Sequence, residues 1–173
     1  MLHRQNLEPL MRTHNAGVGN AMVENDKLQT SALHLLHRAG QCAGDIFQSE
    51  MVNGDITPRQ FAVLLAVSQN EGLSQTSLVK KTGIDRSTLA DIVRRMLRKN
   101  LLQRRRTKDD ARAYAVKLTD EGWETLRSYE PAVDRVDTTL LSALPEESRR
   151  RFLDELSLIV NALSNQQSRP PSE

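Results

Sequence analysis

Apolar positions in this chain recur mostly at intervals of three and four residues, the spacing of a helix with one buried face. Leu28, Ala32, Leu35, Leu36, Ala39, Ala43, Ile46 and Phe47 form such a stripe from about residue 26 to residue 51, where Val52-Asn53-Gly54-Asp55 breaks it. A second helix is expected over 57–70. Thr57 caps it, Pro58 takes the first helical position, and Gln60 completes a capping box. Residues 74–82 follow as a short helix with Leu78 and Val79 inward, ending in the turn Thr82-Gly83-Ile84. Asp85 then caps a helix whose Leu89, Ile92, Val93, Met96 and Leu97 fall at i, i+3, i+4, i+7 and i+8.

Beyond residue 99 the period changes. Asn100 suits a left-handed residue closing the helix. Residues 102–107 and 113–118 alternate as two strands around the charged turn 108–112. Thr119 caps the next helix, with Asp120, Glu121 and Glu124 at the positive end of its dipole; Pro131 bends or breaks it. After Pro145, a last helix carries Phe152, Leu153, Leu156, Ile159, Val160 and Leu163 to about Ser164. Residues 1–25 read as a flexible arm and 165–173 as a disordered tail. The pattern is mainly α with a small β-wing: a winged helix-turn-helix over 56–119, flanked by a helical region over 26–55 and 120–164.

Composition sharpens this picture. Hydrophobic residues make up 38% of the 173 and aromatics 3%, so the core must be aliphatic. The formal charge of +2 hides an uneven distribution: residues 80–117 hold 13 Lys and Arg against 4 Asp and Glu, net +9, and the remainder is net −7. A basic patch on an otherwise acidic chain points to a polyanion partner. The single cysteine, Cys42, excludes an internal disulfide. The longest apolar run, residues 61–67, is far short of the ~18 residues a membrane span needs, and no secretory h-region follows the first basic residues. A cytoplasmic protein without a membrane partner is expected. Motifs of nucleophilic, phosphate-loop or zinc-protease chemistry are missing, so neither an enzyme nor a cofactor or metal site is expected.

The basic patch coincides with the helix-turn-helix. Opposite the buried stripe of the second helix stand Ser87, Asp91, Arg94, Arg95 and Arg98. Small residues at its start let Arg86, Ser87 and Thr88 approach base edges, and Arg94 or Arg95 reaches guanine or phosphate. Asp91 either accepts from cytosine or orients Arg95 by an i, i+4 pair. Alternation places at most two of Arg104, Arg105 and Arg106 toward DNA, Arg104 and Arg106 sharing a face. Ser74, Gln75 and Thr76 open the preceding helix toward phosphate. Lys108, Asp110 and Arg112 sit at the wing tip.

Several of these residues form a known pattern. Leu101-Leu102-Gln103-Arg104, Asp110-x-Arg112, Leu118-Thr119-x-x-Gly122 and the earlier Thr57-Pro58-x-Gln60 resemble the MarR family of winged helix-turn-helix transcription regulators over residues 27–163. Asn100, where the family usually has Gly, and Asp91 on the outward face depart from its pattern. The resemblance implies that Arg112 enters a minor groove, held by Asp110. It also implies an interleaved helical homodimer, in which Leu28, Leu35, Phe152, Leu156, Ile159 and Leu163 are covered by a second copy. A palindromic operator on double-stranded DNA, repression, and release by a small anionic effector follow from the same source. The effector would be an aromatic acid, a phenolic compound or a coenzyme A thioester, in a cleft with His34, Arg38, Phe61 and Trp123.

Three further readings stay open. His34 and His37 are metal ligands, histidines bonded across a dimer, or part of that cleft. Cys42 is an inert packing residue or a redox-sensing thiol. An architectural DNA-binder without an effector would carry the same basic patch.

Overall fold

A computed structural model of the chain describes residues 27–51, 54, 56–70, 72–106 and 114–167. Two compact units emerge, residues 1–39 and 40–173. In the first, α1 (Lys27–Thr30) leads to α2 (Ala32–Glu50), which continues into the second unit. The expected single helix is therefore interrupted at Ser31. Its hydroxyl accepts from the His34 N–H at 3.3 Å and its carbonyl from the Leu35 N–H at 2.9 Å, so Ser31 behaves as a cap and restarts the helix. Leu28, Leu33, Leu35 and Leu36 of this unit are exposed.

The second unit contains the rest: α3 (Pro58–Ser68), β1 (Leu73–Ser74), α4 (Gln75–Thr82), α5 (Arg86–Arg98), β2 (Leu102–Arg106), β3 (Tyr114–Leu118), α6 (Asp120–Leu141) and α7 (Glu146–Gln167). Its core is aliphatic, with Leu64, Leu78, Leu89, Met96 and Leu126 fully enclosed. Each such side chain stabilises the fold by roughly 1.5–3 kcal/mol through removal from water. Phe47 and Met51, at and just past the end of α2, join this core.

The expected two-stranded ribbon is a three-stranded antiparallel sheet, ordered β1-β3-β2. Leu73 pairs with Val116 and Ser74 with Ala115, while Leu102 to Arg106 of β2 run against Leu118 to Tyr114 of β3. The extra strand ties the start of α4 to the base of the wing. Residues 107–113, and with them Lys108, Asp110 and Arg112, lie outside the described residues, as do the arm 1–25 and residues 168–173.

Local chemistry explains the helix ends. Thr57 and Gln60 form a reciprocal capping box: the Gln60 N–H donates to Thr57 Oγ1 at 3.3 Å and the Thr57 N–H to Gln60 Oε1 at 3.0 Å. The last turn of α5 is closed by Asn100 at φ +58, with Asn100 N–H on Leu97 O and Leu101 N–H on Met96 O, a Schellman closure made without glycine. α6 runs unbroken through Pro131. α7 continues to Gln167, three residues past the expected end, because no breaking residue occurs before Pro170.

Candidate nucleic-acid interface

The outward surface of α4 and α5 is assembled by their caps. Ser74 accepts the Ser77 N–H at 3.1 Å and shares a hydrogen bond with the Ser77 hydroxyl. Its oxygen is thus engaged in capping, leaving Gln75 and Thr76 as the more available polar groups at that end. Gly83, at φ +66, closes α4 and turns the chain into α5, a backbone state that favours glycine. Asp85 accepts the Thr88 N–H at 2.9 Å and the Ser87 hydroxyl at 2.6 Å. These bonds, Ser87's first and Thr88's next, hold the Asp85 carboxyl far below the usual carboxylate range. Ser87 therefore presents acceptor lone pairs, since its proton is committed to Asp85.

Beyond the first turn, α5 divides cleanly. Leu89, Ile92, Val93 and Met96 are buried, whereas Arg86, Arg94, Arg95 and Arg98 are exposed. Asp91 lies among these arginines on the outer face and binds two guanidiniums at once: Arg95 Nη2 to Oδ2 at 2.7 Å and Arg94 Nη1 to Oδ1 at 3.3 Å. The i, i+4 pair with Arg95 is the geometry its orienting reading calls for, and Arg94 adds a second pair. Arg104 and Arg105 extend the exposed basic surface onto β2. Arg106 is the last residue of β2.

Packing brings several of these residues together across two elements. A groove of about 600 Å³ separates the start of α3 from the outer side of α5, lined by Thr57, Gln60, Asp91, Arg95, Arg98 and Lys99. Asp91, Arg95, Arg98 and Lys99 follow i, i+4, i+7, i+8 spacing. That signal was available in the sequence, but the facing wall from α3 was not.

The remaining candidates separate. His34 and Arg38 stand on α2 in the first unit, half-buried and exposed respectively. In the second unit, Phe61 is packed into the core at 6% exposure, so its ring is committed to packing instead of standing as an open aromatic wall; Trp123 is 37% exposed. Cys42, on α2, is exposed within one chain. Among the described residues, no group of three His, Cys, Asp or Glu side chains is placed to hold a metal, and no helix is long and apolar enough to cross a membrane. On α7, Phe152, Ile159 and Leu163 are 43%, 45% and 53% exposed, with Leu156 half-buried.

Comparison with known proteins places this architecture. The MarR family profile matches residues 54–113. The transcriptional regulator HosA of Escherichia coli O111:H- is 30% identical over 135 residues, covering 78% of this chain and 98% of HosA. The PcaV transcriptional regulator of Streptomyces coelicolor, solved in complex with its natural ligand, superimposes with a TM-score of 0.73 at 32% identity, covering 82% of this chain and 99% of PcaV. The transcriptional repressor CouR, solved bound to a 23-mer DNA duplex, also gives a TM-score of 0.73, at 27% identity over 81% of this chain and 99% of CouR. With caps, turn, sheet and sequence in agreement, the chain belongs to the MarR family, whose members are transcription regulators and not enzymes.

Proposed function

We propose that this chain is a homodimeric, DNA-binding repressor that is released from its operator by a small anionic, aromatic effector. The observation that carries the reading is the division of α5: a fully packed inner side beneath Arg86, Arg94, Arg95 and Arg98 on the outer side. Helices built this way enter a major groove with arginines at guanine or phosphate. Each subunit places α5 in one major groove. Arg104 and Arg106 lead to a wing tip whose Lys108, Asp110 and Arg112 lie at the adjacent minor groove.

Dimerisation is supported by the uncovered apolar residues of α7 and of the first unit: Phe152, Ile159 and Leu163, and Leu28 and Leu35. A second copy offers the same surfaces in return. Two-fold symmetry then calls for a palindromic operator with half-sites one helical turn apart, about 34–36 Å. CouR, seen on a DNA duplex, and PcaV, seen with its ligand, support the two halves of the reading.

The test is binding of a labelled duplex from the protein's own promoter against a scrambled duplex, as salt is raised, with aromatic acids and their coenzyme A thioesters added singly. Preference for the promoter and release by one of the acids support the proposal. Equal affinity for both duplexes would favour an architectural DNA-binder instead. A thiol switch is the second reading, favoured by the exposure of Cys42. Peroxide release that persists in Cys42→Ser would rule it out.

A further inference from the structure

The outer face of α5 carries one carboxylate among its cations. Asp91, with a side chain 40% exposed, is bonded to Arg95 at 2.7 Å and to Arg94 at 3.3 Å, both arginines being largely exposed at 60% and 65%. It also lines the groove, on the α5 wall that it shares with Arg98 and Lys99. Exposed ion pairs of this kind contribute little to folding. Nor does the core need it, since the inner side of α5 is closed by Leu89, Ile92, Val93 and Met96. A carboxylate here weakens the attraction of α5 for any polyanion, and it fixes the direction of two guanidinium forks.

Resting on the DNA-binding reading above, we propose that Asp91 is a specificity-determining positioning residue: it competes with DNA phosphate for Arg94 and Arg95 and so suppresses binding to arbitrary sequence. On a non-cognate duplex, a phosphate must displace Asp91 to engage either arginine, and the exchange gains little because one ion pair replaces another. On the cognate site, the forks are already aimed. Base edges that match them are read without releasing the carboxylate, so the ordering cost has been met in the free protein. Specificity arises from what Asp91 withholds from the wrong sequence as much as from what the arginines offer the right one.

The experiment measures affinity of the protein for a mixed-sequence duplex and for the own-promoter duplex across a salt series, for wild type, Asp91→Asn and Asp91→Glu. Asp91→Asn is expected to tighten mixed-sequence binding by about two- to fivefold per guanidinium released. Its salt dependence should steepen by about 0.9 for each additional phosphate engaged, while promoter affinity rises less, so that the preference shrinks. Asp91→Glu, which keeps an i, i+4 partner for Arg95, should restore the wild-type slope. Adding Arg95→Ala to Asp91→Asn should remove most of the gain. An unchanged salt slope and mixed-sequence affinity in Asp91→Asn, with wild type preferring the promoter, would overturn the role of Asp91 and leave the DNA-binding reading intact. Failure of wild type to bind either duplex would overturn both. A melting temperature unchanged in Asp91→Asn separates these effects from loss of fold.

Discussion

A Cβ built on Gly122 would collide with the backbone carbonyl oxygen of Leu101. That approach locks the first turn of α6 onto the junction between α5 and the wing. Thr119 strengthens it from both sides, accepting the Gly122 N–H at 3.0 Å and donating its own hydroxyl to Asn100 O, while the Thr119 N–H reaches Leu101 O at 3.3 Å. The Leu-Thr-x-x-Gly motif is thus a clamp whose glycine has a steric cause.

Gly122→Ala tests the clamp. Alanine would normally favour a helix by about 0.5–1 kcal/mol. Here the new methyl meets backbone, which cannot rotate away, and overpacking of that kind costs about 1–3 kcal/mol. Destabilisation is expected, read as a lower denaturant midpoint with an unchanged m-value.

Asn100 occupies φ +58 at the end of α5. Asn100→Gly should preserve or raise stability, since glycine adopts that backbone freely. Asn100→Ala should lower it by about 1 kcal/mol, the cost of a left-handed non-glycine residue. Thermal melts of the two variants should move apart in that order.

The Asp85 cap carries a pH signature. Its folded-state pKa is depressed, so its contribution is fully present above the ordinary carboxylate value of 3.8 and is lost as pH falls below it toward the folded-state value. Asp85→Ala should melt lower than wild type at neutral pH. The gap should hold down to about pH 5 and narrow below about pH 4, where the unfolded chain takes up the proton first.

A charge placed on the uncovered face of α7 tests the dimer. Ile159 is 45% exposed within one chain, so Ile159→Glu costs the isolated subunit little but opposes a copy packed there. Sedimentation should show monomers or aggregates, and promoter affinity should drop with the loss of the second half-site. A tight dimer would remove α7 from the interface.

Arg112→Ala addresses the wing. Promoter affinity should fall by about 1–3 kcal/mol if the side chain reads a base edge or groove, with the dimer and its melting temperature intact. Unchanged affinity would take the wing tip out of the mechanism.

What the sequence determined by itself is the set of features decided within four residues. The Thr57–Gln60 box, the Asp85 and Thr119 caps, the left-handed Asn100 and the buried stripe of α5 all depend on hydrogen bonds and side-chain spacing inside a single turn. The apolar stripes of α2 and α7 were legible too, although neighbouring residues cannot say what covers them. Tertiary structure decided the rest. β1 is two residues long and exists because Leu73 and Ser74 find Val116 and Ala115 some forty positions later. Phe61 is committed to the core because burial depends on the elements packed against a helix face, not on its periodicity alone. Asp91's simultaneous hold on two arginines, the groove wall supplied by Thr57 and Gln60, and the contact between Gly122 and Leu101 share one reason: their partners are brought together by packing across elements, or by rotamers that spacing leaves open.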